Sequence, residues 1–303
     1  MPTDKRPPLT RRIRSGRYAD ERARRAPYVP YLAELQGPPE PSTEAGPNGR
    51  FTIATYNVHR WTGVRGGRAF APEKTFAVID ELEAEVIALQ EVLRPFEGPD
   101  PLAELAERLG YAVAFVCTRL HRRGELGNAV LARWPVSAAF AIDLTFGRLE
   151  QRSALAAQFR TDEGALTIAA THLALVDRTR TRQVQSLLSH PQLSNGPIVL
   201  LGDMNAWRKR GRAARDLDRE FLSRHHNAAW PPSYPSVRPT LALDRAYARG
   251  AWLVDLHAHD SPAARKGSDH LPICATVLLE PPYYSPSTSG VPEPLPRTTS
   301  MRP

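Results

Sequence analysis

Six side chains that can do acid, amide or imidazole chemistry stand at the ends of apolar runs. Asn57 closes TYN, Glu91 closes ALQE, Asp203 and Asn205 close LLGDMN, and Asp269 with His270 closes GSDH. Carboxylates and carboxamides are costly to bury without partners. Their position beside strand-like runs therefore predicts that several strand ends deliver them to one rim, where they form an oxygen-rich cation site with a histidine beside it. Such a rim suits metal-assisted hydrolysis of a phosphate ester.

Glu91 is followed by Val92 and Leu93, so it is a charged group where the pattern expects a buried one, and its oxygen chemistry fits a Mg²⁺ or Mn²⁺ ligand. Asp203 and Asn205 lie two apart. In extended chain they would face the same side and converge on one water, the carboxylate accepting its proton while the amide orients it. Gly202 permits a backbone turn there, and an Asx-type turn is the structural alternative. Asp269 and His270 are adjacent and point differently, so a second carboxylate must fix the tautomer of His270; Asp244 in LALDRAY is the candidate.

His172, Asn57 and Asn128 are each either structural groups or donors to a phosphate oxygen on which negative charge grows. Arg178 and Arg182 lie four apart on an expected helix beyond His172, where they would bind a second phosphate or form a solvated basic face.

The elements that must position these groups are legible as runs. FTIATYNV, EVIALQE, YAVAFVC, NAVLAR, SALAAQFR, LTIAATHLAL, IVLLGD, LALDRAYA, WLVDLHA and ICATVLL read as strands. PEKTFAVIDELEA has helical spacing with Pro72 in its first turn, LAELAERL ends at Gly110, and further helices are expected from Asp177 through Leu188 and around residues 210–223. Strands dominate and helices are interspersed, which favours two packed sheets flanked by helices over a doubly wound parallel sheet.

The 303 residues, 42% of them hydrophobic, suffice for a sizeable core. We place one domain at residues 51–280, after a basic and Pro/Gly-rich arm at 1–50 and before a Pro/Ser-rich tail at 281–303. The formal net charge is +8, but residues 1–30 alone carry nine Lys or Arg against three Asp or Glu, so the remainder is nearly neutral. Such an arm binds polyanions without choosing among them, and charge alone does not name a substrate. Cys117 and Cys274 sit inside apolar runs and read as buried reduced thiols. No stretch has the length of a spanning helix or the apolar middle of a signal peptide, so a cytoplasmic monomer is expected.

Taken in order from Asn57 to His270, these strings resemble the endonuclease/exonuclease/phosphatase superfamily, which includes deoxyribonuclease I, apurinic endonucleases, inositol-polyphosphate phosphatases and neutral sphingomyelinases. The resemblance implies a four-layer α/β sandwich, with two central mixed β-sheets flanked by helices, and Mg²⁺-dependent phosphoester cleavage. It implies that Asn57 and Glu91 serve the metal with Asp269 near them, and that Asp203 and Asn205 handle the attacking water. His270 would stabilise the transition state with Asp244 as its partner, and His172 would be the second histidine of the deoxyribonuclease and sphingomyelinase branches. LDRAY departs from the family's usual string by placing Arg245 after Asp244.

A phosphodiesterase with nuclease-type activity is the first expectation, supported by the arm and by the cluster Arg208, Lys209, Arg210, Arg212 and Arg215 as grips for a nucleic-acid backbone. A phospholipid or small-molecule phosphoesterase held at an anionic membrane surface is the second. A noncatalytic polyanion-binding protein is the third.

Overall fold

The computed structural model describes residues 30–37, 46–67, 69–146, 151–162, 164–208, 211–221 and 229–279. The basic arm up to residue 29, the tail from residue 280, and Lys209 and Arg210 lie outside the described residues. Among the described residues there are twelve strands, and ten of them coincide with the apolar runs above. They are β2 (Arg50–Asn57), β3 (Val86–Pro95), β4 (Ala112–His121), β5 (Gly124–Ala132), β7 (Ser153–Thr161), β8 (Gly164–His172), β9 (Ile198–Asp203), β10 (Asp244–Arg249), β11 (Trp252–Ala258) and β12 (Ile273–Leu278). The other two are β1 (Tyr31–Gln36) and β6 (Ala138–Asp143). β1 corrects the reading of residues 31–36 as part of an arm: it pairs antiparallel with β4, and Ala33 packs into the core. Its charged and polar neighbours in sequence mask it, as is usual for an edge strand.

The helices are α1 (Pro72–Leu82), α2 (Pro101–Leu109), α3 (Asp177–Leu188), α4 (Arg212–Glu220) and the short α5 (Ala264–Gly267). α2 shows why the local sequence stops where it does. Asp100 caps its first turn by accepting from the Leu102 N–H at 3.2 Å, and Gly110 ends it in the left-handed conformation at φ 69°. No described helix is long and apolar enough to cross a membrane.

One sheet has seven strands in the order β1-β4-β5-β3-β2-β12-β11, the other five in the order β10-β9-β8-β7-β6. Each contains one parallel pair, β2 with β3 and β8 with β9, and the other neighbours run antiparallel. α1 connects the first parallel pair and α3 the second, as a parallel connection requires.

Apolar side chains fill three interfaces. Phe51, Ile53, Val86 and Val130 meet Leu155, Phe159, Ile168 and Val199 between the sheets. Phe76, Ile79, Leu102 and Leu105 of α1 and α2 cover the outer face of the seven-stranded sheet. Val184 and Leu187 of α3, with Ala213 and Leu217 of α4, cover the five-stranded sheet. The result is the four-layer α/β sandwich. Cys117 and Cys274 are both free.

Candidate active site

Both parallel pairs deliver their carboxyl-terminal ends to one cleft of about 250 Å³, lined among others by Asn57, Glu91, His172, Asp203, Asn205, Asp269 and His270. Such ends are where open α/β sheets gather ligands. Asn57 is the last residue of β2, and in register it faces Gln90, one residue before Glu91. Glu91 lies in a bulge of β3 between Leu89 and Val92 with φ at 51°, so the bulge turns a charged side chain toward the cleft while its apolar neighbours stay in the core. On the other sheet His172 and Asp203 are register partners at the ends of β8 and β9.

Gly202 makes that pairing feasible. Its φ is 145°, and a Cβ there would stand 1.9 Å from the Thr171 carbonyl oxygen. Asp203 and Asn205 do not converge through strand alternation. Asn205 has φ 47°, its N–H donates to Asp203 Oδ1 at 2.9 Å, and its amide donates to the Leu173 carbonyl at 2.8 Å. The Asx-type turn and the shared cleft are thus the same feature.

Asp203 is the centre of the charge arrangement and is 2% exposed. Asn57 Nδ2 donates to its Oδ2 at 3.2 Å, His172 Nε2 lies 3.3 Å from the same oxygen, and His270 Nε2 lies 3.8 Å from it. Burial, with the nearby Asp244 charge, pushes the Asp203 carboxyl up to about 6, against the opposing pull of His270 and the hydrogen bonds from Asn205 and Asn57.

The two histidines diverge. Burial, and then the charges of Arg152, His270 and Arg119, hold His172 well below the usual imidazole range, so its contact with Asp203 is a neutral one and not an ion pair. Burial opposes charge on His270 too, but Asp244 and Asp203 prevail and push it up to about 10. His270 Nδ1 donates to Asp244 Oδ2 at 2.7 Å, and Ser233 Oγ donates to the same oxygen at 2.6 Å. Asp244 therefore fixes the His270 ring, and Tyr234 packs on it with ring centroids 4.9 Å apart. Arg245 is buried away from this pair: its guanidinium lies over the Trp230 ring at 5.2 Å and donates to Tyr247 Oη at 3.1 Å. The departure at Arg245 thus belongs to packing and leaves Asp244 in place.

Two oxygen sets could be weighed for a cation. Asp203, Asp244 and His270 have ligand atoms within 4.8 Å of one another, but His270 is a protonated donor already spent on Asp244. Glu91, Asp269 and Asn57 fit better. All offer hard oxygens to the cleft, and the Glu91 and Asp269 side chains are 24% and 27% exposed, open enough for a cation that keeps part of its water shell. Each acid faces a basic group of the turn at His59–Trp61: Arg60 Nε is 3.2 Å from Glu91 Oε2, and His59 Nδ1 is 3.2 Å from Asp269 Oδ1. That turn has positive φ at all three residues. It is held by the His59 N–H donating to Asn57 Oδ1 at 3.0 Å and by buried Trp61 donating to the Leu93 carbonyl at 2.7 Å.

Three expected substrate contacts fall elsewhere. Asn128 donates to the Ser153 carbonyl at 3.0 Å and lines a space of about 20 Å³ beside Glu91 and His172, so it ties the two sheets and has no room to meet a substrate group. Arg178 and Arg182 are exposed on α3 and do not line the cleft; the inward arginine of that helix is Arg180. The cations that do line the cleft are Arg60, Arg119 and Arg152. Their one sequence signal is position: Arg60 follows Asn57 by three residues, Arg119 follows the YAVAFVC run, and Arg152 precedes β7. Trp207 and Tyr234 also line the cleft and gave no such signal.

Comparison with known proteins agrees with this fold. The model of the Endonuclease/Exonuclease/phosphatase family matches residues 54–270. A stretch of 247 residues is 28% identical to the uncharacterized protein YbhP of Escherichia coli K12, covering 76% of this chain and 96% of YbhP. Among solved structures, an endonuclease/exonuclease/phosphatase from Beutenbergia cavernae superposes with a TM-score of 0.58 at 22% identity, over 77% of this chain and 72% of that one. D. rerio TDP2 complexed with a single-strand DNA product gives 0.57 at 15% identity, over 75% and 98%. The human Nocturnin catalytic domain with bound sulfate gives 0.57 at 22%, over 77% and 95%. With the sandwich fold, the paired strand ends and the family match over most of its length, the chain belongs to the Endonuclease/Exonuclease/phosphatase family.

Proposed function

We propose that this protein hydrolyses phosphodiester bonds with the help of Mg²⁺ or Mn²⁺. The observation that carries the reading is one buried carboxylate, Asp203, which its surroundings raise toward neutral pH and which stands between a neutral His172 and a charged His270. A group that must take a proton near neutrality needs such a raised carboxyl, and a group that must meet growing negative charge needs to stay cationic.

In this reading Asp203 Oδ2 accepts a proton from a water that attacks phosphorus in line. The new P–O bond forms on that water, the P–O bond to the leaving alcohol breaks, and the alkoxide takes a proton from solvent. Asp203 then releases its proton to bulk water. His270 Nε2–H donates to a non-bridging oxygen while Asp244 holds the ring. Asn57 steers Asp203 through its amide, and Arg119 and Arg152 hold the phosphate against the cleft wall. A divalent cation held by Glu91, Asn57 and Asp269 would supply neutralising charge to the phosphate oxygens.

Bis(p-nitrophenyl) phosphate tests the bond chemistry free of any larger recognition. Turnover with Mg²⁺ should vanish in EDTA, and Asp203→Ala and His270→Ala should each lower kcat by about a thousandfold. Near-wild-type turnover in either variant ends the proposal. Nucleic acids and phospholipids both carry this bond. The TDP2 structure holding a DNA product makes single-stranded DNA one substrate to assay.

A further inference from the structure

The cleft is lined mostly by polar groups, yet exposed apolar side chains stand at and beside its mouth, which its chemistry does not require. Leu175, Val176, Trp207 and Val237 are 54%, 58%, 40% and 57% exposed, and they make up four of the six exposed large apolar side chains among the described residues. Leu175 and Trp207 line the catalytic cleft itself, Val176 follows Leu175, and Val237 is on the loop that brings Tyr234 to the same cleft. Scattered exposed aliphatics need no explanation, but a group gathered around one opening does.

The chain that carries these side chains is also held in place. The buried Arg180 donates to the Ala174 and Leu175 carbonyls, each at 2.9 Å, and so fixes the backbone beneath Leu175 and Val176. Trp207 Nε1 donates to Asn205 Oδ1 at 3.1 Å, and Arg265 donates to the Val237 carbonyl at 2.8 Å. Exposed arginines stand close by in sequence: Arg208 directly after Trp207, Arg238 directly after Val237, and Arg178 two residues after Val176, beyond Asp177. Apolar tips with cations close beside them match a lipid interface, where the tips enter the headgroup region and the cations meet anionic headgroups. A nucleic-acid strand would use the arginines and the tryptophan but would leave Leu175, Val176 and Val237 without partners.

We infer that the rim of the cleft docks on an anionic lipid bilayer and presents the site to a phosphodiester carried by a phospholipid headgroup. The inference rests on the proposed hydrolysis for its chemistry, and on Leu175, Val176, Trp207 and Val237 for its partner. The substrate's lipid bond is broken by the same water attack, giving an alcohol and a phosphate monoester.

The test uses the full chain, basic arm included, with vesicles of phosphatidylcholine alone and with phosphatidylglycerol added. Wild type should sediment with the anionic vesicles and release phosphorus-containing product from them. Val176→Asp/Val237→Asp, which touches neither the cleft lining nor the reacting groups, should weaken vesicle binding at least about tenfold while leaving bis(p-nitrophenyl) phosphate turnover unchanged. Val176→Trp should strengthen binding with the melting temperature and soluble-ester turnover unchanged, a combination that misfolding cannot produce. Binding of the double-Asp variant equal to wild type would assign vesicle attachment to the arm and overturn the inference. So would rapid cleavage of single-stranded DNA alongside inert vesicles. Loss of turnover on the soluble ester in wild type would count instead against the hydrolase proposal itself.

Discussion

At the residue scale the site works by pushing like groups apart. Asp203, up to about 6, is protonated and useless as a base below that pH, so activity should fall as pH drops through it. A bound cation favours the carboxylate and moves this acid limb lower still. His270, up to about 10, keeps its charge below that pH, so activity should fall again as pH rises through it. The expected kcat profile is a plateau between the two limbs. Among the groups that raise His270, Asp244 contributes most, so Asp244→Asn should draw the alkaline limb to lower pH while KM on a soluble ester changes little. An alkaline limb that stays in place in that variant would remove Asp244 from its positioning role. Asp244, Asp203 and His270 were legible because polar groups at the ends of apolar runs are conspicuous. Arg60, Arg119 and Arg152 were not, because arginine is common at strand ends and nothing local distinguishes one that lines a cleft. Arg178 and Arg182 misled for the complementary reason: spacing of four says that two side chains share a helix face, but not which face is turned to the site.

At the scale of elements, the distance between β8 and β9 sets the geometry of the site. His172 and Asp203 are partners in that pair, and the strands approach closely at Gly202 because it has no side chain. Gly202→Ala would drive a Cβ into the Thr171 backbone, where no flexible side chain can yield, and at a φ that L residues resist. The strands must part by about 1 Å to relieve it. Displacements of that order in a reacting constellation cost about a hundredfold in rate, so kcat should fall by about that factor along with the melting temperature. Wild-type melting and turnover in Gly202→Ala would show that the close approach is incidental. The sequence announced the apolar strands and the caps of α2 because each carries its own pattern. It concealed β1, whose hydrogen bonds to β4 depend on a partner roughly eighty residues away, and the bulge at Glu91, which exists only in relation to β5.

At the scale of the molecule, neither sheet holds the site alone. Asn57 and Glu91 come from the seven-stranded sheet and His172, Asp203 and Asp244 from the five-stranded one, while His270 stands just before β12 of the first. Strand order across the sheets cannot be read from local pattern, since it places β12 beside β2 and β10 beside β9 through long excursions of the chain. The physical link between the halves is the apolar layer between them, and that makes catalysis and global folding one cooperative property. Phe159 tests this. It is fully buried in that layer on β7, six residues from Ser153 at the cleft end, a separation of about 20 Å in extended chain. Phe159→Ala removes a large side chain from a packed interface and should cost about 3–5 kcal/mol, lowering the melting temperature by roughly 10 °C. The catalytic groups are untouched, so kcat measured well below that temperature should equal wild type. Loss of activity and loss of far-ultraviolet circular dichroism should follow one denaturant curve in both proteins, shifted together in the variant. Activity lost at a lower denaturant concentration than secondary structure would mean that the sheets separate before they unfold. The site would then depend on their docking alone, and not on the folding of the whole sandwich.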